Sequence, residues 1–323
     1  MQARSLAIRS ALATLAISCA AWSQPYPAKP IRFIVPDGPS SVSDLRARQI
    51  GAKLSEQVGQ PVVIDNRAGA NYILGAEAAA KAPADGYTIF MGSIVTHSLN
   101  PLLYKSLPYR ANEDFVPVTM VSAGPLILVV HPSVGASTAR ELVNLSNARP
   151  DQLGYGVVGL GSSGHLVMEQ LKRETGARFV MVPYKASGAF IQDLVGGHLS
   201  LALYYWSIVG PHVKSGKVKA IAVASTSRLM VAPEIPTFAE SGIPGIEGYA
   251  WQGVFVPART PPGVVAKLHA ELSRAIQSPE IRNQLIETGA EVGGNTPDQF
   301  AAMIRSDQEK WRRLASQVEL AQQ

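Results

Sequence analysis

The sequence predicts an α/β protein of two domains, each a mostly parallel β-sheet flanked by helices. Short apolar segments alternate with amphipathic segments of 3.6-residue period, a pattern typical of parallel strands covered by helices on both faces. The 323 residues exceed what one hydrophobic core comfortably holds. Because no long polar linker separates the domains, we expect strands to cross between them at two places.

The predicted strands are short segments rich in valine, isoleucine and aromatic residues. They cover residues 31–35, 62–64, 87–91, 115–121, 126–130, 154–158, 179–182, 199–204, 218–224 and 249–256. The two crossings are expected at 122–125 and 224–228. They divide the chain after residue 23 into domain 1, residues 24–124 plus 228–323, and domain 2, residues 125–227.

Helices are predicted between these strands from periodicity and from capping residues. In the first helix, Ala47, Ile50 and Leu54 fall on one face. Thr138 and Glu141 have the spacing of a capping box for a helix that runs to about residue 148. The last third of the chain is mostly helical, with a proline near the first turn of each helix. These three helices are predicted at 262–276, 279–288 and 297 to about 318.

The first 23 residues have the composition of a secretory signal peptide. Arg4 and Arg9 form a positive region, an apolar segment covers 11–20, and small residues before position 24 suit cleavage. The apolar segment is too short to span a bilayer. We therefore expect an exported, periplasmic protein, and a disordered or buried N-terminal helix is the alternative.

Cys19 is the only cysteine in the chain and lies inside this N-terminal segment. Cleavage after Ser23 leaves a mature protein without disulfide, thiolate metal site or cysteine nucleophile. Acylation of Cys19 as a lipoprotein is the alternative, although the favoured leucine three residues before it is missing.

The charge balance argues against nucleic acid as a partner. Removal of Arg4 and Arg9 lowers the 29 Lys and Arg residues to 27, against 24 Asp and Glu residues. No dense basic run with interleaved aromatic residues is present. The weak basic excess suits a small anionic ligand but does not establish one.

Residues 159–164 match the pattern G-x-G-x-x-G between a predicted strand and a predicted helix, the context of a dinucleotide-binding fingerprint. A dinucleotide fold also needs an acidic residue at the end of the next strand, and residues 183–185 provide none. Lys185 could meet a 2′-phosphate, but an exported protein has little access to NADP. We therefore expect no cofactor, and an ordinary capped helix remains the simpler interpretation of the loop.

Three loops rich in hydroxyl groups each follow a strand and begin a helix. Helix N-termini offer free N–H groups and a favourable dipole to an anion. Loops at the carboxyl ends of strands border the ligand crevice in open α/β sheets, so we expect these loops to meet at one cleft. The predicted ligand-binding residues within them are Ser40, Ser41, Ser43 and Asp44, then Ser93, Thr96 and His97, then Ser162, Ser163, Gly164 and His165.

The two histidines have two open interpretations. His97 and His165 could donate hydrogen bonds to a carboxylate, or they could brace their own loops. Neither has the spacing of a metal-ligand pair, and no carboxylate cluster accompanies them. We therefore expect no metal site.

Many short segments, in matching order over nearly the whole mature chain, resemble the Bug-type periplasmic receptors, the solute-binding proteins of tripartite tricarboxylate transporters. Such segments are YPAKPIR at 26–32, DNRAGA at 65–70, DGYT at 85–88, SGHL at 163–166, VPYK at 182–185, DLVGG at 193–197 and PTFAE at 236–240. The resemblance implies a "Venus flytrap" fold, acting as a monomer and not as an enzyme. It would close on a small carboxylate and deliver it to a membrane permease. In such receptors the first strand–helix loop holds one carboxylate, and the Thr-His and Ser-rich loops line the rest of the pocket.

The sequence departs from that family at several places expected near the ligand. Asp37 stands where an aromatic residue is usual, and Ser40 and Ser41 replace a glycine pair. Tyr72 lies where relatives carry glycine, and Tyr204 and Tyr205 stand at a position that is often acidic. Since an acid there suits an amino group, an amino acid becomes a less expected solute. The tyrosines instead predict an aromatic or otherwise planar carboxylate, and the alternatives are buried core tyrosines and a solvated Asp37.

An exported hydrolase is the alternative from another functional class. Ser162 or Ser163 could pair with His97 or His165, although the segment does not match G-x-S-x-G. A triad also needs a carboxylate to orient the histidine. Besides Asp37, only Asp44 is acidic in the three loops, and helix capping explains it more simply.

Overall fold

The computed structural model describes residues 26–184 and 187–316. The predicted signal peptide, Cys19 and Lys185 lie outside this part of the chain. The strands are β1 Ile31–Val35, β2 Val62–Asn66, β3 Thr88–Ser93, β4 Phe115–Val130, β5 Leu153–Val158, β6 Phe179–Tyr184, β7 Leu201–Tyr205, β8 Lys219–Val223, β9 Tyr249–Pro257 and β10 Glu291–Val292.

The α-helices are α1 Val42–Val58, α2 Ile73–Ala80, α3 Asn100–Leu103, α4 Ala139–Ala148, α5 Ser163–Thr175, α6 Ser187–Val195, α7 Trp206–Lys214, α8 Pro262–Ile276, α9 Pro279–Glu287 and α10 Pro297–Ala315. A π-helical turn covers Val95–Leu99, and a 3-10 turn covers Pro132–Val134. Among the described residues, no helix is both long and apolar enough to cross a bilayer.

Strand β4 is shared by the two halves of the molecule. Residues 115–125 pair antiparallel with β9, and residues 126–130 pair antiparallel with β7 and β8. We call the side with β1, β2, β3 and β9 the first lobe, and the side with β5 to β8 the second lobe. The two strands predicted at 115–121 and 126–130 are thus one strand, because Ala123 and Pro125 remain paired with β9.

Parallel pairing occurs in the outer part of each lobe. In the first lobe β1 pairs in parallel with β2 and β3, and in the second lobe β5 pairs in parallel with β6 and β7. The antiparallel centre, formed by β4 and β9, is an addition that the alternation of strands and helices did not predict.

Each lobe has its own hydrophobic cluster, and a third cluster joins them. In the first lobe, Leu54 and Leu272 pack helices α1 and α8 against the sheet. In the second lobe, Phe190 and Val209 do the same for α6 and α7. The largest cluster contains residues of both lobes, so burial of apolar surface ties the lobes together along one side.

The segment between β8 and β9 packs on the second lobe. The Arg140 guanidinium of α4 donates to the carbonyl of Gly242, and Gln170 Nε2 of α5 donates to the Gly245 carbonyl over 3.1 Å. Gly248 then donates to the carbonyl of Ala224. The chain therefore remains beside the second lobe until shortly before β9.

The capping predictions agree with the helix ends. Thr138 Oγ1 accepts from the Glu141 N–H over 3.1 Å at the start of α4, and the Glu141 carboxylate accepts from Ser137 N–H. Helix α10 begins with a reciprocal capping box of Thr296 and Gln299. These local bonds set where the helices begin, and hence which side chains reach the sheet.

Helix α10 is attached to the first lobe by a half-buried carboxylate, that of Asp307, and its removal is a test of the fold. Asp307 accepts hydrogen bonds from Ser98 Oγ at 2.7 Å, Trp251 Nε1 at 3.0 Å and Trp311 Nε1 at 2.8 Å. Asp307→Ala leaves three donors without an acceptor, and we expect it to lower the free energy of unfolding by roughly 2–4 kcal/mol. Urea unfolding measures this loss.

The control for this substitution lies on the same helix. Glu309 is exposed, and Glu309→Ala is expected to change the stability by no more than about 0.5 kcal/mol. Equal effects of the two substitutions would show that the Asp307 network does not hold α10.

Candidate functional site

A cavity of about 900 Å³ lies between the two lobes, a size suited to a small organic ligand. Residues of the three hydroxyl-rich loops all contribute to its lining, so the structure brings these loops to one place. Ten of the predicted site residues line it: Ser40, Ser41, Ser43, Tyr72, Ser93, Ser162, Gly164, His165, Tyr204 and Tyr205.

Asp44 was predicted as a ligand-binding residue, but it lies behind the first loop and is not among the residues that line the cavity. Its carboxylate accepts from Ser40 N–H at 2.9 Å, Asn66 Nδ2 at 3.0 Å and Arg48 Nε at 3.0 Å. The hydrogen bond from Arg48 lowers the pKa of this carboxyl group. Ser40 has a φ of 65°, in the left-handed region where glycine is usual. Asp44 thus holds a serine in the backbone conformation that this loop needs.

Thr96 and His97 also lie outside the cavity lining, in the core of the first lobe. The His97 ring stacks on Phe255 with ring centroids 3.8 Å apart, and its Nδ1 lies 2.8 Å from Thr96 Oγ1. Thr96 Oγ1 in turn donates to the carbonyl of Ser93 and accepts from its N–H. These two side chains brace the loop of Ser93, which was the alternative interpretation of His97, and their contact with a ligand stays a prediction.

The glycine loop of the second lobe is braced by His165. Its Nδ1 accepts from the N–H of Gly161 over 2.9 Å, and burial lowers its pKa. Gly161 has a φ of 74°, and a Cβ at this position would lie 2.3 Å from Leu103 of the first lobe. The loop therefore requires glycine here, and the two lobes touch at this point.

Ser163 is buried and does not line the cavity, although its neighbours Ser162 and Gly164 do. Its hydroxyl is near enough to Tyr205 to lower that side chain's pKa against the larger effect of burial, but the two groups do not form a hydrogen bond. Among the described residues, neither Ser162 nor Ser163 is hydrogen-bonded to a histidine. The geometry thus gives no support to the hydrolase alternative.

Two helix N-termini at the cavity have no side-chain cap. Ser162 precedes α5 and Tyr205 precedes α7, and neither side chain accepts a hydrogen bond from its own helix. Residues of both first turns line the cavity, so unpaired N–H groups face a ligand there. This arrangement favours a negatively charged group.

A strained segment carries Tyr72 to the cavity. Ala70, Asn71 and Tyr72 have φ values of 46°, 51° and 69°, three consecutive non-glycine residues in the left-handed region. Asn71 Nδ2 donates to Asn100 Oδ1 at 2.9 Å, and Asn100 Nδ2 donates to the Asn71 carbonyl at 2.9 Å. This amide pair holds the unusual backbone in place.

The second lobe contributes an aromatic wall. The rings of Tyr204 and Tyr205 lie 4.8 Å apart, and Tyr204 Oη is 3.0 Å from Ser187 Oγ. Both tyrosines and Trp206 line the cavity, because strand β7 ends at Tyr205 and its alternation of faces stops there. Burial raises the pKa of both tyrosines, so they remain neutral near pH 7.

Arg46 and Gln252 line the cavity and were missed by the sequence reasoning. Arg46 Nη1 donates to Gln252 Oε1 at 2.8 Å, and Gln252 Nε2 donates to Ser43 Oγ at 2.7 Å. Burial lowers the pKa of Arg46 to about 10, which still leaves it protonated at neutral pH. Helical spacing is the sequence signal that could have indicated Arg46. It lies four residues before Ile50, so its side chain falls next to the buried face of α1.

The chain matches a family model over most of its length. Residues 46–320 match the model described as "Tripartite tricarboxylate transporter family receptor". The chain is 36% identical to Protein BugT of Bordetella pertussis over 305 residues, 93% of this chain and 92% of that protein. It is 35% identical over 296 residues to a UPF0065 protein in the tcbD-tcbE intergenic region of Pseudomonas sp. strain P51, 91% of this chain and 88% of that protein.

Solved structures show the same fold. Rpa4515 of R. palustris, solved with adipate, has a TM-score of 0.84 and 34% identity, covering 90% of this chain and 97% of its own. MatC (Rpa3494) from Rhodopseudomonas palustris, solved with bound malate, has a TM-score of 0.80 and 30% identity, covering 90% and 100%. The predicted two-domain α/β fold and the resemblance to Bug-type receptors are thereby confirmed.

The burial of His97 predicts a pH dependence of stability. Burial lowers its pKa to about 3, whereas the unfolded chain has a value near 6.5. The unfolded state therefore binds more protons below pH 6.5, so the stability present above that pH is lost as the pH falls towards 3. The loss at pH 5 is about 2 kcal/mol from this group alone.

The comparison of variants isolates this contribution. We expect His97→Leu to show a smaller fall in the free energy of unfolding between pH 7 and pH 5 than the wild-type protein. His198 is exposed, and His198→Leu should leave the fall unchanged. Identical pH dependence in the wild type and His97→Leu would contradict the buried neutral imidazole.

Proposed function

Because this chain belongs to the tripartite tricarboxylate transporter receptor family, we propose that it binds a small carboxylate in the cavity between its lobes and delivers it to the membrane permease of such a transporter. The observation that carries this proposal is the cavity of about 900 Å³ lined from both lobes. Its lining combines serine hydroxyls, uncapped helix N-termini and one arginine, which suit an anion. Of the fourteen predicted ligand-binding residues, the ten that line this cavity are the ones proposed to contact the ligand.

The related structures support a carboxylate rather than another anion. Rpa4515 was solved with adipate and MatC with malate, and both are carboxylates. In this chain the first strand–helix loop, with Ser40 and Ser41 before α1, has the position where such receptors hold a carboxylate. Ser41 Oγ already accepts from Asp44 N–H at 3.1 Å, and Ser43 Oγ accepts from Gln252 Nε2 at 2.7 Å, so Ser40 has the freer hydroxyl group.

The tyrosines support an aromatic or otherwise planar solute. Tyr72 from the first lobe and Tyr204 and Tyr205 from the second lobe all line the cavity. Flat rings with a polar edge suit a flat ligand whose polar groups lie at its rim. Trp206 adds a further aromatic side chain beside them.

Closure of the two lobes over the ligand is the proposed motion. In the proposed division, the first lobe consists of residues 24–124 together with the C-terminal part of the chain. The second lobe is the segment that begins at residue 125. The first crossing lies in β4 near 122–125, where the pairing of that strand changes from β9 to β7 and β8. Gly242 and Gly245 contact α4 and α5 of the second lobe. These contacts favour a second crossing, where the chain returns to the first lobe, near Gly248 and not at the predicted 224–228. A few residues at these crossings would absorb the motion.

The place of action proposed for the protein is the periplasm, after export by the N-terminal segment. Cleavage at residue 23 would release a monomer, and acylation at Cys19 would instead tether it. Mass spectrometry of the exported protein distinguishes the two by the mass of its N-terminal peptide.

A thermal-shift screen tests the proposed binding. A carboxylate present at 100 times its Kd is expected to add about 2.7 kcal/mol and to raise Tm by roughly 5–10 °C. The ligand should be recovered chemically unchanged, as a receptor requires. The proposal would be contradicted if a panel of small carboxylates left Tm unchanged at millimolar concentration. Turnover of a substrate that is lost in Ser163→Ala would favour the hydrolase.

The aromatic solute has its own test in the same screen. Benzoate-type acids should raise Tm more than citrate, glutamate or aspartate. Tyr204→Ala removes the ring and should weaken binding of the aromatic acid about tenfold, whereas Tyr204→Phe keeps the ring and should have a smaller effect. A screen in which only aliphatic acids bind would refute this part of the proposal.

A further inference from the structure

The cavity carries two opposite charges that the protein itself does not neutralise. Among the described lining residues, Asp37 and Arg46 are the only Asp, Glu, Lys or Arg side chains. Neither forms an ion pair with another described residue. They also lie beyond ion-pair distance of each other. A ligand can therefore meet each charge separately.

Arg46 is a positioned cation. Within residues 26–184 and 187–316, its hydrogen-bond partner is Gln252 alone, and Gln252 is itself held by Ser43. A guanidinium carries five N–H donors, so most of them remain free for a ligand. Because a half-buried cation without a counter-charge is costly, a ligand carboxylate at this point would gain a charge-assisted and partly desolvated contact.

Asp37 is a positioned anion that shares the cavity with tyrosines of both lobes. Its Oδ1 accepts from the N–H of Gly38 at 2.9 Å, which fixes the carboxylate in the loop. Tyr72 of the first lobe and Tyr204 of the second lobe line the same cavity as Asp37, and burial together with the charge of Asp37 raises the pKa of both tyrosines. The Asp37 side of the cavity therefore disfavours a second anion.

From these placements, and resting on the proposed function, we infer that the ligand is a monocarboxylate that also carries an ammonium group. Arg46, on the helix that the Ser40–Ser41 loop begins, would be the charged partner of the carboxylate at the start of α1. Asp37, at the other end of that loop, would receive the ammonium group together with Tyr72 and Tyr204. A carboxylate that shares a cavity with tyrosine rings favours a cation over a neutral donor. Asp37 thus supplies, from the first loop, the acidic group that is absent at Tyr204.

Matched probes separate this ligand class from dicarboxylates. One set is hexanoate, adipate and 6-aminohexanoate, and the other is 4-methylbenzoate, terephthalate and 4-(aminomethyl)benzoate. Within each set the size is similar, and the far end is apolar, anionic or cationic. In isothermal titration calorimetry of the full mature chain, we expect the cationic member of a set to bind at least tenfold more tightly than the anionic member.

Two substitutions assign the charges to residues. Asp37→Asn should weaken binding of the ammonium probe by roughly 10- to 100-fold and remove the preference over the dicarboxylate. Arg46→Gln should weaken all members of a set by a similar factor. The matched controls Asp298→Asn and Arg282→Gln are at exposed positions outside the cavity and should leave every affinity unchanged.

The outcomes that overturn the inference differ from those that overturn the proposed function. Dicarboxylates that bind as tightly as the ammonium probes, or an Asp37→Asn variant with unchanged preference, would refute the charge assignment alone. The charge assignment alone would also be refuted if none of these six probes bound to a protein that other carboxylates stabilise. A protein that no carboxylate stabilises would refute the proposed function and this inference together.

Discussion

The molecule depends on one strand that is hydrogen-bonded on both sides of the cavity. The two ends of β4 pair in different lobes, so a movement of one lobe against the other has to bend this strand. Pairing with β9 extends along residues 115–125 and makes this connection a two-stranded ribbon rather than a single segment. Every loop that reaches the cavity is attached to a lobe that this ribbon joins to the other. The ribbon therefore limits how the lobes can approach each other, and the side chains decide what can occupy the space between them.

Within that frame, the polar residues divide into two groups by burial. Asp44, Thr96, His97 and His165 form hydrogen bonds to their own loops and shape the backbone that faces the cavity. Serine hydroxyls, helix N–H groups and the Arg46 guanidinium are left for a ligand. The division has a physical reason, since a buried polar group must find its partners inside the protein, whereas one at the cavity can exchange water for ligand.

The sequence predicted the loops better than the individual side chains. The periodicity of strands and helices located all three loops, because each loop joins an apolar strand to the helix that follows it. It did not distinguish Ser162, at the cavity, from Ser163, one residue further and buried. That difference depends on the rotation of α5 relative to β7, which is set by packing. Arg46 was missed for a similar reason, as a cation on a helix usually faces solvent, and only the tertiary structure places Gln252 beside it.

The left-handed segment at 70–72 has an evolutionary consequence. Three non-glycine residues in this conformation together cost a few kcal/mol relative to glycine. A single change to glycine there would raise the stability of the fold. Selection for tolerance of heat or of further mutation would therefore act against the side chain at 72. The side chain at 72 is therefore present at a cost in stability, and laboratory selection for stability alone should replace this tyrosine early.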